Sequence, residues 1–280
     1  MRSLFVLAAV ALGVACASAS GGKGAVRVVS EFNLPAELAE TSALYCPDNN
    51  SIFTLNDSGN TPIIYQLNRQ GELIAQRSVD SKNIDWEALT GDSNNFYIAD
   101  IGNNGGKRPF VEIKVLPKAG EQAQLATALR IEYANNNVEQ NEYVKHDFDG
   151  EALVNYGDSL LLFSKSWQSN IVQVYQVSKT ASEQTLTPLH RVSGLPGVVT
   201  GVDYNSQRKQ FVVVGYQVRG MGSFIPFIAL IDSQFKLLAT YPLPGFNQVE
   251  GVCVSPDGHV WISQESSFFS THKLAQIQLP

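Results

Sequence analysis

One short phrase, repeated five times, constrains the fold of this chain more than any other feature of its sequence. In every copy the third residue carries a side-chain oxygen, the fourth is small and the fifth is aliphatic. The copies are Glu40-Thr41-Ser42-Ala43-Leu44, Asp85-Trp86-Glu87-Ala88-Leu89, Asp149-Gly150-Glu151-Ala152-Leu153, Val198-Val199-Thr200-Gly201-Val202 and Gln248-Val249-Glu250-Gly251-Val252. Their third positions are 45, 64, 49 and 50 residues apart. A period of this length is typical of repeated units that bury their faces by stacking on their neighbours.

A turn cluster and then a short apolar strand follow each copy at nearly the same distance. These second strands are expected at Ser51 to Leu55, Phe96 to Ala99, Leu160 to Phe163, Phe211 to Val214 and Val260 to Ser263. Short, evenly spaced strands without helical periodicity predict an all-β fold, a five-bladed β-propeller forming a single domain over residues 26-280. The longest interval contains a polar segment between Lys118 and Asp147, which we interpret as an extended outer hairpin or loop of blade two.

The last repeat ends before its fourth strand, at Leu274 to Leu279. An apolar and β-branched segment near the other end of the chain, Val26 to Phe32, can supply the missing strand. A propeller closes its ring in this way because the pairing hides two sheet edges. The N-terminal strand is therefore expected to complete blade five.

Residues 1-19 have the pattern of a signal peptide. An apolar run from Leu4 to Val14 is too short to cross a bilayer, and Ala17-Ser18-Ala19 is a small-residue cleavage site. We expect export to the periplasm or the extracellular space. Cys16 offers an alternative, because its context resembles a lipoprotein cleavage box; membrane attachment is expected only if Cys16 is lipidated.

The charge of the chain bears on its partners. The formal net charge is −6, and charged residues make up 16% of the sequence. No cluster of lysine and arginine forms a basic stripe, so nucleic acid is not an expected partner.

Two cysteines, Cys46 and Cys253, follow the first and the fifth copies of the phrase. Ring closure makes these two blades neighbours, and strand alternation turns the two side chains toward each other. An oxidising compartment permits a disulfide if the Cα atoms are less than about 7 Å apart. A disulfide and a pair of buried free thiols are both compatible with the sequence.

The third residues of the five copies predict a ring of oxygens on the propeller axis, because the first strand of every blade lines that axis. This axial ring consists of Ser42, Glu87, Glu151, Thr200 and Glu250. Converging carboxylates repel one another, so protons or a cation must compensate their charge. Ca²⁺ suits three carboxylates and two hydroxyls better than Mg²⁺, and no histidine has a partner at zinc-ligand spacing. The alternative is a polar channel lining whose carboxylates bind backbone amides.

The far ends of the second strands reach the same face of the propeller as the start of each phrase, called the anchor face below. Five charged residues there form a candidate ligand rim: Asp57, Asp100, Lys165, Arg219 and Glu265. The two cations suit a phosphate or carboxylate bridged to Ca²⁺. The alternative is that the acidic and glycine-rich ends are simply turn formers.

The set of five phrases, with Ser255-Pro256-Asp257-Gly258 and Ser263-Gln264-Glu265 after the last one, resembles the bacterial SdiA-regulated five-bladed propellers. That resemblance implies the fold and a location in the cell envelope. The order Ser, Glu, Glu, hydroxyl, Glu is also similar to the axial Ca²⁺ ligands of the calcium-activated nucleotidase (apyrase) propellers, which implies that the axial ring is the protein shell of the ion. Thr200 stands where those propellers have serine, and their nucleotide-contacting loops have no match here.

Three functions follow from these observations. The first is an exported Ca²⁺-binding propeller that binds a small polar ligand or a protein partner on its anchor face. The second is a Ca²⁺-dependent hydrolase of phosphate esters or anhydrides, and the third is a structural scaffold stabilised by its ion. The axial carboxylates also raise the option of a glycosidase, which depends on a carboxyl separation that sequence does not supply.

Overall fold

The computed structural model describes residues 24–119, 127–219, 223–267 and 270–280. The signal-peptide prediction and the Cys16 prediction lie outside the described residues. Within the described ranges the chain forms twenty β-strands, one short 3₁₀ helix at Ala36–Leu38 and no α-helix. The strands form five antiparallel sheets, with one added parallel strand. None of the described helical segments is long and apolar enough to cross a membrane.

The N-terminal strand β1 (Arg27–Asn33) belongs to the sheet of the last blade, and blade one follows it with three strands. The blade-one strands are β2 (Ile52–Thr54), β3 (Ile63–Leu67) and β4 (Leu73–Ser78). The segment that holds the first phrase is not a regular strand, because only the bridges Thr41 to Asn56 and Tyr45 to Phe53 tie it to the sheet. Between them the hydroxyl of Thr54 donates to the carbonyl of Ala43 at 2.7 Å, so a side chain replaces a backbone partner.

Blades two and three each begin with the phrase as their innermost strand. Blade two consists of β5 (Trp86–Gly91), β6 (Asn95–Asp100), β7 (Val111–Pro117) and β8 (Thr127–Tyr133). Blade three consists of β9 (Gly150–Tyr156), β10 (Ser159–Ser164), β11 (Val172–Ser178) and β13 (His190–Val192), while β12 (Glu183–Leu186) pairs in parallel with β8 at the edge of blade two. The polar segment after Lys118 thus contributes the outer strand β8 and then a loop that returns to the anchor face.

Blade four consists of β14 (Val198–Asn205), β15 (Gln210–Arg219), β16 (Ser223–Asp232) and β17 (Leu237–Pro242). Blade five consists of β18 (Val249–Val254), β19 (Val260–Gln264) and β20 (Lys273–Gln278), completed by β1. The β1 strand runs antiparallel to β20 from Arg27 opposite Gln278 to Asn33 opposite Lys273. The predicted five-bladed propeller, closed by its N-terminal strand, is confirmed.

The apolar core lies between the blades, and its residues follow the alternation of each strand. In β15, Phe211 and Val213 pack toward blade three, whereas Val212 and Val214 pack toward blade five. Five such clusters exist among the described residues, one for each pair of neighbouring blades, including the pair formed by blades five and one. Each blade therefore buries both faces only because the ring is closed.

A disulfide joins the first and last blades. Cys46 and Cys253 are bonded, with their Cα atoms 5.6 Å apart and a sequence separation of 207 residues. Both are buried in the cluster that blades five and one share. This bond and the β1–β20 pairing close the ring at the same seam, and the sequence had left the bond and the free thiols open.

Candidate metal and ligand site on the anchor face

Four residues of the axial ring occupy β-bulges at the anchor-face ends of the innermost strands. In β5 the residues Trp86 and Ala88 have partners in β6, but Glu87 between them has none. Each of the strands β9, β14 and β18 also contains one residue without a partner in the second strand of its blade. These residues are Glu151, Thr200 and Glu250, respectively. A bulge redirects a side chain that regular alternation would turn to one face of its blade. The repeated phrase therefore encodes a repeated bulge.

The two hydroxyl groups of the ring donate hydrogen bonds to backbone carbonyls of the neighbouring blade. Ser42 donates to the carbonyl of Trp86 at 3.1 Å, and Thr200 donates to the carbonyl of Val249 at 2.7 Å. Each acceptor directly precedes the next ring residue. The oxygens of both hydroxyls keep their lone pairs, but the channel that four of the five ring residues line has a volume of only about 10 Å³. That space holds at most about one water molecule, so among the described residues the space for a larger ligand near this end of the axis lies above the ring.

An open pocket of about 360 Å³ lies above the ring on the anchor face. Five carboxylates line it: Asp57, Glu87, Glu151, Glu250 and Glu265. Four aromatic side chains form part of its walls: Tyr143, Trp167, Tyr216 and Phe224. Tyr143 belongs to the loop after β8, so the polar segment of blade two contributes to the pocket. The volume is within the usual range for sites that bind small molecules.

A buried lysine supplies a positive charge at the pocket floor. The ammonium of Lys165 lies 2.8 Å from Oε1 of Glu151, and both side chains are almost fully buried. The ammonium also faces the rings of Trp167 and Tyr216, at 5.2 Å and 5.5 Å from their centres. Burial by itself lowers the pKa of Lys165, but the nearby acidic groups, Glu151 foremost, raise that pKa well above its ordinary value. The pairing with Glu151 and the surrounding acidic groups favour the charged form of Lys165.

The other ring carboxylates differ in their partners. Glu250 accepts hydrogen bonds from Tyr216 at 3.1 Å and from Gln248 at 3.0 Å. No described residue gives the carboxylate of Glu87 a hydrogen bond or an ion pair, although this residue is only 7% exposed. Burial, and then repulsion from Glu151 and Asp57, raises the pKa of Glu87 well above its ordinary value. Burial also raises the pKa of both Glu250 and Glu265.

Asp85 is a site residue that we did not single out from the sequence. Carboxylate oxygens of Asp57, Asp85 and Glu87 all lie within 4.8 Å of one another. Burial raises the pKa of Asp85 to about 6, with repulsion from Asp57 as the next cause. The sequence contains a signal for it, because Asp85 opens its copy of the phrase as Asp149 opens another.

The predicted rim residues separate into two groups. Asp57, Lys165 and Glu265 line the pocket. Asp100 is fully buried below the surface, where Arg108 contacts it at 2.8 Å and Lys114 at 3.5 Å. Arg219 is exposed at the end of β15 and lines a neighbouring groove with Pro196 and Gly197. The candidate rim is thus smaller, and of its two predicted cations only Lys165 faces the pocket.

Comparisons with known proteins support the fold. No protein-family model matches the sequence, and no curated protein matches it. The structure is similar to the WD40 β-propeller domain of Doa1, with a TM-score of 0.50, 7% identity and coverage of 91% of this chain and 97% of that chain.

Two further similarities have lower scores. Virginiamycin B lyase from Staphylococcus aureus has a TM-score of 0.43 at 13% identity, over 90% of this chain and 70% of that chain. Kuenenia stuttgartiensis hydrazine synthase has a TM-score of 0.43 at 13% identity, over 80% of this chain, which spans only 55% of that chain. At these scores and identities the similarities carry no information about activity. The chain is a five-bladed β-propeller, with an acidic pocket at one end of its axis.

Proposed function

We propose that this protein is an exported β-propeller that binds Ca²⁺ at the acidic floor of its anchor-face pocket and holds a small polar ligand or a partner above the ion. The axial ring residues Ser42, Glu87, Glu151, Thr200 and Glu250 are the ligand set that the sequence suggests. The likeness of this ring to the apyrase propellers and of the whole chain to the SdiA-regulated propellers belongs to the same proposal.

The observation that carries the proposal is the charge imbalance of the pocket. Five carboxylates line it, and Lys165 is the only lysine or arginine among its described lining residues. The ammonium of Lys165 pairs with Glu151 and leaves four carboxylates without a protein cation. Buried carboxylates must take up protons or bind a cation. A cation that accepts many oxygens in flexible geometry, as Ca²⁺ does, meets this need at neutral pH.

The walls of the pocket support the binding of a small molecule or a peptide. Trp167 and Phe224 offer apolar faces beside the carboxylates, which is the mixture typical of ligand sites. The proposal of export is supported by the disulfide between Cys46 and Cys253, since such bonds persist in oxidising compartments.

The alternative, a Ca²⁺-dependent hydrolase of phosphate esters, has less support. Phosphoryl transfer uses protein cations beside the metal to stabilise charge on the phosphate oxygens. Lys165 already pairs with Glu151, and Arg219 lies outside the pocket. A binding function therefore fits the arrangement better than hydrolysis.

Thermal unfolding of the purified protein in chelator and in Ca²⁺ tests the proposal. We expect Ca²⁺ to raise the melting temperature, because a ligand that binds only the folded state stabilises it. The same preparations are then incubated with nucleoside di- and triphosphates. Ca²⁺-dependent release of phosphate would favour the hydrolase, and the absence of any Ca²⁺-dependent shift in melting would refute the metal proposal.

A further inference from the structure

We propose that the divalent cation is bound off the propeller axis, by Asp57, Asp85 and Glu87, and not at the centre of the axial ring. This inference rests on the proposed function, that the pocket binds a cation, and it assigns the site to one side of the pocket floor. Of the five ring residues predicted as ligands, only Glu87 belongs to the site. Asp57 comes from the end of blade one, and Asp85 precedes β5.

The first argument is that the remaining ring carboxylates already have protein partners. Glu151 binds the ammonium of Lys165 at 2.8 Å. Glu250 accepts hydrogen bonds from Tyr216 and Gln248. A cation at the centre of the ring would lie close to the Lys165 ammonium, and the two positive charges would repel each other. The lysine therefore disfavours a metal on the axis itself.

The second argument is the state of Glu87. The residue is only 7% exposed, and no described residue donates a hydrogen bond to its carboxylate or forms an ion pair with it. A buried carboxylate in this state is costly unless a ligand completes its coordination. One of its oxygens lies within 4.8 Å of oxygens of Asp57 and Asp85, so a single cation can serve as the partner of all three groups.

The third argument is the geometry of the cluster. The three carboxylate oxygens lie within 4.8 Å of one another. Oxygens bound to one Ca²⁺ at about 2.4 Å can be at most about 4.8 Å apart. Asp57 and Asp85 are partly exposed, so water has access to the remaining coordination positions of the ion. One cation can therefore contact all three carboxylates, with water in its remaining coordination positions.

Gly102 makes this approach of the two blade-two carboxylates possible. A Cβ atom at position 102 would lie 2.3 Å from Oε1 of Glu87 and 2.4 Å from Oδ2 of Asp85. The amide of Gly102 also donates to the carbonyl of Asp85 at 3.2 Å. The backbone therefore packs directly against both carboxylates, and any other residue would push them apart.

Calorimetric titration of the full chain with Ca²⁺ tests the assignment, and luminescence from Tb³⁺, sensitised by Trp167 in the pocket, gives a second readout. We expect Asp85→Asn and Asp57→Asn each to weaken Ca²⁺ binding by about tenfold or more, because ligand charge sets the affinity of such sites. Gly102→Ala should weaken binding without removing any ligand. Glu250→Gln should change affinity by less than about threefold, since it acts only through long-range charge. The control is Asp158→Asn, at an exposed turn of blade three.

The stability of the metal-free protein separates a ligand from a merely structural group. In chelator, Asp85→Asn should melt at a higher temperature than the wild type, because it removes repulsion within the cluster. In Ca²⁺, Asp85→Asn should instead melt at a lower temperature than the wild type, because the ion stabilises only the protein that binds it. A structural role would lower stability under both conditions.

Three possible results distinguish the off-axis site from an axial site and from the absence of any cation site. If Ca²⁺ binds and Glu250→Gln or Glu151→Gln abolishes binding while Asp85→Asn does not, the ion is on the axis and only this inference fails. If the wild type binds neither Ca²⁺ nor Tb³⁺, the proposed function fails with it. If binding is lost in Asp85→Asn and Asp57→Asn and kept in Glu250→Gln, the off-axis site is supported.

Discussion

Lys165 and Glu151 form a buried ion pair of 2.8 Å at the floor of the anchor-face pocket. The protein thus neutralises one of the three ring carboxylates by itself, with a side chain from the end of β10. The three ring carboxylates therefore differ in their partners, although the repeat makes their positions nearly equivalent in sequence. One glutamate has a lysine, one has neutral donors, and Glu87 has neither.

Removing the lysine should destabilise the protein. Lys165→Met leaves Glu151 buried without a partner, and breaking a buried pair on one side costs about 3–5 kcal/mol. The double variant Lys165→Met/Glu151→Gln should regain most of that loss because no uncompensated charge remains. Urea unfolding at pH 8 in chelator measures the free energy of unfolding of the single and the double variant. A single variant as stable as the wild type would show that the ion pair does not form.

The disulfide should contribute to stability through ring closure. Cys46 and Cys253 are 207 residues apart, so the bond restricts a long loop of the unfolded chain. We expect reduction to lower the free energy of unfolding by about 2–4 kcal/mol, a typical contribution of such a bond. Urea unfolding with and without reductant measures the change, and Cys46→Ala/Cys253→Ala is the control that should not respond to reductant. Equal stability of fully reduced and oxidised wild type would contradict this prediction.

Asp203 should make stability depend on pH. Its carboxylate accepts the amides of Val254 at 2.7 Å and Tyr204 at 2.8 Å, yet burial raises its pKa from 3.8 to about 6. Because the folded state holds the proton more tightly than the unfolded state, the contribution of Asp203 is greatest below about pH 4 and is lost as pH rises to about 6. The loss amounts to at most about 3 kcal/mol.

The variant Asp203→Asn cannot ionise, so its stability relative to the wild type should increase as pH rises from 4 to 7. Urea unfolding at several pH values measures this difference, with Asp158→Asn, at an exposed turn, as the control substitution. A constant difference between Asp203→Asn and the wild type would mean that Asp203 has an ordinary pKa in the folded protein.

Much of the fold could be predicted because the repeat fixes it. The spacing of the phrase gave five blades, and the missing last strand indicated that β1 would complete blade five, as it does. Blade one shows the limit of such reasoning, because the hydroxyl of Thr54 takes the place of a regular ladder there and no pattern of hydrophobic residues indicates this.

The candidate site was harder to predict because it depends on side-chain direction. The bulges at Glu87, Glu151, Thr200 and Glu250 change which face each following residue occupies, and the alternation of apolar residues does not reveal them in advance. Asp100 was placed on the rim by its position at the end of a strand, but its side chain turns into a buried ion cluster with Arg108. The pairing of Lys165 with Glu151 joins neighbouring strands of one blade across the position where the β9 bulge shifts their register.

Anomalous scattering from a crystal soaked in a lanthanide is the most direct test of the claim that the acidic pocket binds a cation. The account predicts one strong peak at the pocket floor, about 2.5 Å from oxygens of Asp57, Asp85 and Glu87. A fully soaked crystal that shows no peak in the pocket, with these carboxylates ordered and accessible, would contradict it.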